Sequence, residues 1–360
     1  MKLVELGWEP FFQQQFDRLG QDDLSPARIV REGQHIYVAR NEEGDWLAEV
    51  AGEFRDHAAG RSAFPVTGDW VGMAARPAEG RATIHRRLDR KTTLSRKVVG
   101  SLTEEQVMAA NVDVVFLVNG LDGGRNFNLR RLEREMALVW ESGASPVVVL
   151  NKADLAEDLA TPMEEARAVA PGVPVLAVSA SWRQGLEELR SSLPGGKTGI
   201  LLGPSGVGKT SLINALLDDE SRKVGAVRSD DRRGRHTTTY RELVFMPGGG
   251  MIVDTPGLRE IQLWGDGEGV EAAFEEIEAL VARCRFADCR HEGEPGCAVN
   301  EALARGEIDR ARYENYLQLK REQAYLARRK DRRLQQAEQA KWKRIAKDFR
   351  VRQRVDEKFL

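Results

Sequence analysis

The sequence predicts a multidomain chain in which a small all-β barrel precedes an α/β unit with a mostly parallel sheet, followed by a small α-helical module with a basic helical tail. Three observations predict it. Short alternating apolar runs fill residues 28–88, and strongly apolar runs alternate with amphipathic helical patterns over residues 112–253. All three cysteines, Cys284, Cys289 and Cys297, then fall in one short segment ahead of a stretch dense in Lys and Arg.

At 360 residues the chain has material for roughly two or three domains, each with its own core. Its longest strong apolar run, Val112 to Val118, is far short of the ~18 residues that a membrane-spanning helix needs. Glu5 and Glu9 interrupt the region where a signal peptide requires apolar continuity, so a cytoplasmic protein with no membrane partner is expected. So few cysteines, so closely spaced, suit a metal site better than a disulfide framework. The net charge of −2 hides an asymmetry: residues 320–360 hold fifteen Lys/Arg against six Asp/Glu, a net +9 that leaves −11 for residues 1–319. Such a tail suits a polyanionic partner as well as it suits a solvated helix.

Residues 1–27 form a lead-in with weak helical patterning around Trp8, Phe11, Phe12 and Phe16, closed by Ser25-Pro26. The runs RIV, HIYVAR, DWLAEV and DWVGMA, broken by glycines, then predict about five short strands over residues 28–90, which fits a barrel of the oligonucleotide-binding (OB) type. Tyr37, Trp46, Phe54 and Trp70 are expected to fill its core. In the next unit, residues 91–262, VDVVFLV (112–118) reads as a buried strand, Asn128 to Glu141 as a helix and PVVVL (146–150) as a second strand. PVLAVSA (174–180), a helix from Leu186 to Leu193, TGILLG (198–203), a helix from Thr210 to Leu217 and strands near 239–246 and 250–253 complete it. A helix over residues 270–283, the cysteine segment and a charged helix from about Glu307 make up a module over 263–319 and the tail over 320–360.

The chemistry lies at the strand ends. Gly203-Pro204-Ser205-Gly206-Val207-Gly208-Lys209-Thr210, running on into Ser211, matches a phosphate loop: its glycines let backbone N–H groups converge on phosphates at a helix amino terminus. Lys209 would reach the β- and γ-phosphates, and the Thr210 hydroxyl would ligate Mg²⁺. Asn151-Lys152-Ala153-Asp154 reads guanine, because the Asp154 carboxylate can accept from both N1–H and the 2-amino group, a donor pair that adenine lacks. The Lys152 stem would stack on the base, Asn151 would tie the motif to the phosphate loop, and Ser179-Ala180 fits the loop whose N–H contacts the guanine oxygen. Asp254-Thr255-Pro256-Gly257 marks a second switch, with Asp254 on Mg²⁺ through water and the Gly257 N–H sensing the γ-phosphate. Between them, Arg232 to Thr239 should supply one threonine to the metal, for which Thr238 is taken.

Leu258 stands where many GTPases carry a water-orienting glutamine, and His236 is the nearest polar candidate for that role. The apolar residue also leaves open a non-enzymatic nucleotide-binding module, and the basic tail leaves open a general RNA chaperone. The base-reading motif precedes the phosphate loop, whereas ordinary GTPases have the reverse order, so the domain reads as circularly permuted. Finally, Cys284-x4-Cys289-x-His291-x5-Cys297 offers three thiolates and an imidazole, the ligand set of a closed structural zinc site, with Arg283, Arg285 and Arg290 around it.

GPSGVGKTSL, the displaced NKAD, GRHTTT, DTPGL and the ending Gly293-Glu294-Pro295-Gly296-Cys297 together resemble the RsgA (YjeQ) family of small ribosomal subunit biogenesis GTPases over residues 28–320. The resemblance implies an OB barrel, a permuted P-loop GTPase domain and a zinc domain. It also implies a protein that binds GTP and GDP, contacts rRNA of the small (30S) subunit late in maturation, hydrolyses GTP under stimulation by that subunit and leaves in the GDP state; a monomer is expected. Thr210 replaces the usual serine of the family with an equivalent hydroxyl. Gly206 stands where potassium-dependent relatives carry asparagine.

Overall fold

The computed structural model describes residues 1–33, 36–97, 105–124, 126–218, 241–255 and 268–326. Strands β1 (Ser25–Glu32), β2 (Tyr37–Asn41), β3 (Gly44–Val50), β4 (Trp70–Arg76) and β5 (Arg81–Arg87) pair in the order β1-β2-β3-β5-β4, and β4 returns to β1 to close the barrel. Burial alternates along β2 and β3 because successive side chains leave a strand on opposite faces. Ile29, Tyr37, Trp46, Met73 and Ile84 point inward, with Phe54 at their margin. The buried Trp46 indole donates to Asn41 Oδ1 at 3.0 Å, and the same oxygen accepts from the Glu43 and Gly44 N–H groups, which shapes the β2–β3 turn.

Two expectations change here. Ser25 and Pro26 do not close the lead-in but open β1, opposite Met73 and Gly72 of β4. Proline is tolerated at the start of a strand, where its missing N–H interrupts little of the ladder. Trp70 is fully buried but outside the barrel, against Leu6, Trp8, Phe12 and Leu88. Its ring lies 4.6 Å from that of Trp8, which precedes helix α1 (Pro10–Asp17). The lead-in is therefore packed against the barrel wall. Arg28 reinforces the junction by donating to Leu6 O (2.5 Å), Gly68 O (3.3 Å) and Asn111 O (3.0 Å). Burial pulls its guanidinium down to about 10, still charged at neutral pH.

After helix α2 (Gly52–His57) and the hairpin β6 (Thr93–Lys97)–β7 (Glu105–Ala110) comes the α/β unit. Its strands are β8 (Val114–Gly120), β9 (Ser145–Asn151), β10 (Val175–Ala177), β11 (Thr198–Leu202), β12 (Arg241–Phe245) and β13 (Met251–Asp254), ordered β10-β9-β8-β11-β13-β12. All neighbours are parallel except β12, which is antiparallel to β13. Pairing of β12 with β1 joins this sheet to the barrel as one eleven-stranded sheet. Covered on both faces, β8 is apolar without alternation from Val114 to Val118. Val115 and Leu117 face the layer of α3 (Leu129–Ser142) and α4 (Ala160–Val169), while Phe116 and Val118 face α5 (Leu186–Ser191) and α6 (Lys209–Leu217).

Helix α3 is capped by Asn128, whose Oδ1 accepts from the Arg131 N–H at 2.9 Å. Helix α7 (Glu268–Ala273) lies so close upon it that a Cβ on Gly269 would sit 2.2 Å from Ala137 O. The helix expected over 270–283 is broken: α7 ends and α8 (Glu275–Val281) begins at Phe274, with φ −129° and ψ 37°. Helix α9 (Ala298–Arg305) and a helix over 310–326 follow. Phe274, Ile277, Val299, Tyr313, Tyr316 and Leu319 join the core that holds Leu132 and Met136 of α3, so the cysteine module shares a core with the sheet. Among the described residues no helix is long and apolar enough to cross a membrane.

Candidate nucleotide site and Cys/His centre

The carboxyl ends of β8, β9, β10, β11 and β13 gather most of the sequence motifs at one edge of the sheet. The phosphate loop leaves β11 and enters α6, whose first residue is Lys209. Gly208 has φ +95°, and a Cβ there would lie 2.4 Å from Asn151 Nδ2, so both backbone and space demand glycine. Asn151 is buried and links three segments: Nδ2 donates to Val207 O at 2.7 Å, and Oδ1 accepts from the Ala180 N–H at 3.3 Å. Ser179, fully buried, receives the Trp182 N–H on its Oγ at 3.0 Å. The Lys209 ammonium donates to Gly203 O (2.6 Å) and Pro204 O (2.8 Å), inside the loop where phosphates are expected. Thr210 and Ser211 continue the first turn of α6, half-buried, and Asp254 closes β13.

Asp154 follows Lys152 in a short 3-10 turn, half-buried, its carboxylate without a hydrogen bond among the described residues. Pro256, Gly257, Leu258, His236 and Thr238 lie outside the described residues.

Sequence reasoning missed two acids. Asp122, just past β8, accepts from Lys152 Nζ at 2.5 Å, and Lys152 Nζ also donates to Gly206 O at 2.7 Å. The Lys152 hydrogen bond is the main cause that holds the Asp122 carboxyl below its ordinary value. Glu135 on α3 is half-buried, its Oε1 3.8 Å from Arg131 Nε and its Oε2 without a partner among the described residues; loss of solvent pushes its carboxyl from 4.5 up to about 7 against the pull of Arg131 and Lys209. A polar Asp-Gly-Gly run directly after a buried parallel strand was the available signal for Asp122, since ligands gather at such ends. An isolated Glu within a helix carries none.

In the helical module Cys284, Cys289, His291 and Cys297 bring one ligand atom each to within 4.8 Å of one another. His291 Nδ1 lies 3.6 Å from Cys284 Sγ and 3.4 Å from Cys297 Sγ. Bonds of about 2.3 Å to sulfur and 2.0 Å to nitrogen make tetrahedral edges of about 3.5–3.8 Å, so the donor set fits a four-coordinate metal closed to water. Cys297 also begins α9, its Sγ accepting from the Asn300 N–H at 3.4 Å, which ties the cluster to a helix.

A glycine-rich loop between a central parallel strand and a helix, with NKAD two strands away in the sheet yet earlier in the chain, defines a circularly permuted P-loop GTPase. The sequence model of the RsgA GTPase family matches residues 87–264. The small ribosomal subunit biogenesis GTPase RsgA of Opitutus terrae is 45% identical, over 99% of this chain and 99% of that protein. RsgA 1 of Oceanobacillus iheyensis is 41% identical, over 96% of this chain and 98% of its own. The crystal structure of YjeQ from Thermotoga maritima superposes with a TM-score of 0.63 at 29% identity, covering 84% of this chain and 99% of that one. YloQ, described as a circularly permuted GTPase, is alike in fold, with a TM-score of 0.61 at 22% identity over 86% and 96% of the two chains. The chain belongs to the RsgA GTPase family and is a GTPase.

Proposed function

We propose that this GTPase acts in late maturation of the small (30S) ribosomal subunit, binds its rRNA, is stimulated by it and couples hydrolysis to release. The observation that carries the reading is the placement of the nucleotide edge. One side of its sheet is hydrogen-bonded to the barrel through β12 and β1, and one face is packed against the Cys/His module through α3 and α7. A change at the phosphates thus has short routes to two modules suited to RNA. In this reading the OB-type domain expected over 28–90 begins at Ser25 with β1, the GTPase domain spans 91–262, the zinc domain 263–319 and the basic tail 320–360.

Asn151, Lys152, Asp154, Ser179 and Ala180 hold guanine, and residues 203–211 hold the phosphates. Thr210, a switch threonine taken as Thr238, and Asp254 through water complete the Mg²⁺ shell, Gly257 senses the γ-phosphate and His236 orients the attacking water. Zn²⁺ is the metal assigned to Cys284, Cys289, His291 and Cys297, where it supplies structure only. The protein acts as a cytoplasmic monomer. Sedimentation of the protein with isolated small subunits tests the coupling: a non-hydrolysable GTP analogue should support tighter binding than GDP, and equal affinities would refute it.

A further inference from the structure

We infer that Asp122 is a positioning residue of the guanine site, fixing the side chain of Lys152 in the place where it meets the base. The inference rests on the reading of NKAD as a guanine site. Lys152 leaves β9 in a left-handed conformation, φ +63°, that a side chain seldom adopts. Its chain crosses to the phosphate loop, where Nζ finds two acceptors: Gly206 O at 2.7 Å and Asp122 Oδ2 at 2.5 Å. Gly206 fixes where the ammonium ends; Asp122 supplies a charged acceptor from a different strand, so that the methylene stem is held between two anchors. A lysine stem otherwise samples many rotamers, and a ligand that stacks on it must order it first.

Asp122 is itself held. Asn126 Nδ2 lies 3.2 Å from both of its carboxylate oxygens. Arg131 Nη2, from α3, donates to Asn126 O at 2.5 Å and to Asn119 Oδ1 at 3.3 Å. Asn119 and Asn126 are therefore tied to the helix behind them, and Asp122 is held through Asn126. The pair is partly exposed, with side chains 26% and 24% accessible, which limits its worth to that of one charge-assisted hydrogen bond at a wet site.

The test is equilibrium and stopped-flow binding of GDP and xanthosine diphosphate to the full chain. Asp122→Asn should weaken GDP about tenfold, mainly through faster release. Binding of both nucleotides should fall by the same factor, because Asp154 still chooses the base, and the unfolding midpoint of nucleotide-free protein should fall only by the small amount that one partly exposed ion pair is worth. In a Lys152→Met background, Asp122→Asn should add nothing. Unchanged GDP affinity in Asp122→Asn, or a full tenfold loss persisting without Lys152, overturns the inference while leaving the guanine site standing. If the unsubstituted chain binds no guanine nucleotide, the site reading and the inference fall together.

Discussion

Replacing Arg312 should loosen the Cys/His module from the GTPase sheet. Arg312 is 6% exposed and Glu133, its partner on α3, is wholly buried. The guanidinium donates to Glu133 Oε1 (3.0 Å), Glu276 Oε1 (2.6 Å), Ala273 O (3.0 Å) and Val169 O (3.3 Å), with its carbon 4.7 Å from the centre of the Phe274 ring. Removing one partner of a buried pair costs about 3–5 kcal/mol when the other charge is left alone. Glu133 is not left alone, since Arg130 Nη1 and Asn315 Nδ2 each reach it at 2.6 Å. The lower end, about 3 kcal/mol, is therefore expected for Arg312→Met. Because several domains need not unfold together, amide hydrogen exchange resolved along the chain is the suitable assay. Protection should fall by roughly a hundredfold in α7, α8 and the helix over 310–326, while the barrel stays unchanged. Adding Glu133→Gln should restore part of the loss by removing the second buried charge. A loss below about 1 kcal/mol, or a double variant worse than the sum of the singles, would refute this account of the docking.

Glu135→Gln should stabilise the protein at pH 8.5 by roughly 2–3 kcal/mol and do little at pH 4. The native carboxyl titrates near 7 instead of 4.5, so its burial penalty grows as pH rises through that window and is complete above it. Denaturation midpoints across pH check this, and a flat difference contradicts it. Gly208→Ala should abolish nucleotide binding, measured by calorimetry, because the new Cβ would displace Asn151. Asp154→Asn should favour xanthine over guanine nucleotides in competition binding, since an amide can accept from N1–H while donating to the 2-oxo group. A strong chelator, or Cys297→Ser, should release one zinc per chain and expose the core around Val299 and Tyr313, read by metal analysis and hydrogen exchange.

The nucleotide edge was largely legible because its motifs are contiguous and each follows a run of buried strand residues, as with Asn151 after PVVVL. Local pattern was less informative where packing overrode it. Phe274 sits in a stretch with good helical propensity, yet the helix breaks there as its ring turns against Tyr316, 5.6 Å away, and under Arg312. Strand β5 carries only two deeply buried apolar residues, Ala82 and Ile84, among polar neighbours, so its period-two signal is weak. Trp70 looked like barrel core, and only the tertiary fold reveals that the lead-in supplies its partners. Asp122 takes its chemistry chiefly from Lys152 on another strand and Glu135 from burial, neither of which a spacing rule encodes.

The most direct measurement is GTP turnover by the purified protein, titrated with isolated small and large ribosomal subunits. A GTPase that works on the small subunit should show turnover rising to saturation with that particle, little response to the large one and no comparable hydrolysis of ATP. Turnover indifferent to small subunits, or equal for the two nucleotides, would contradict the account.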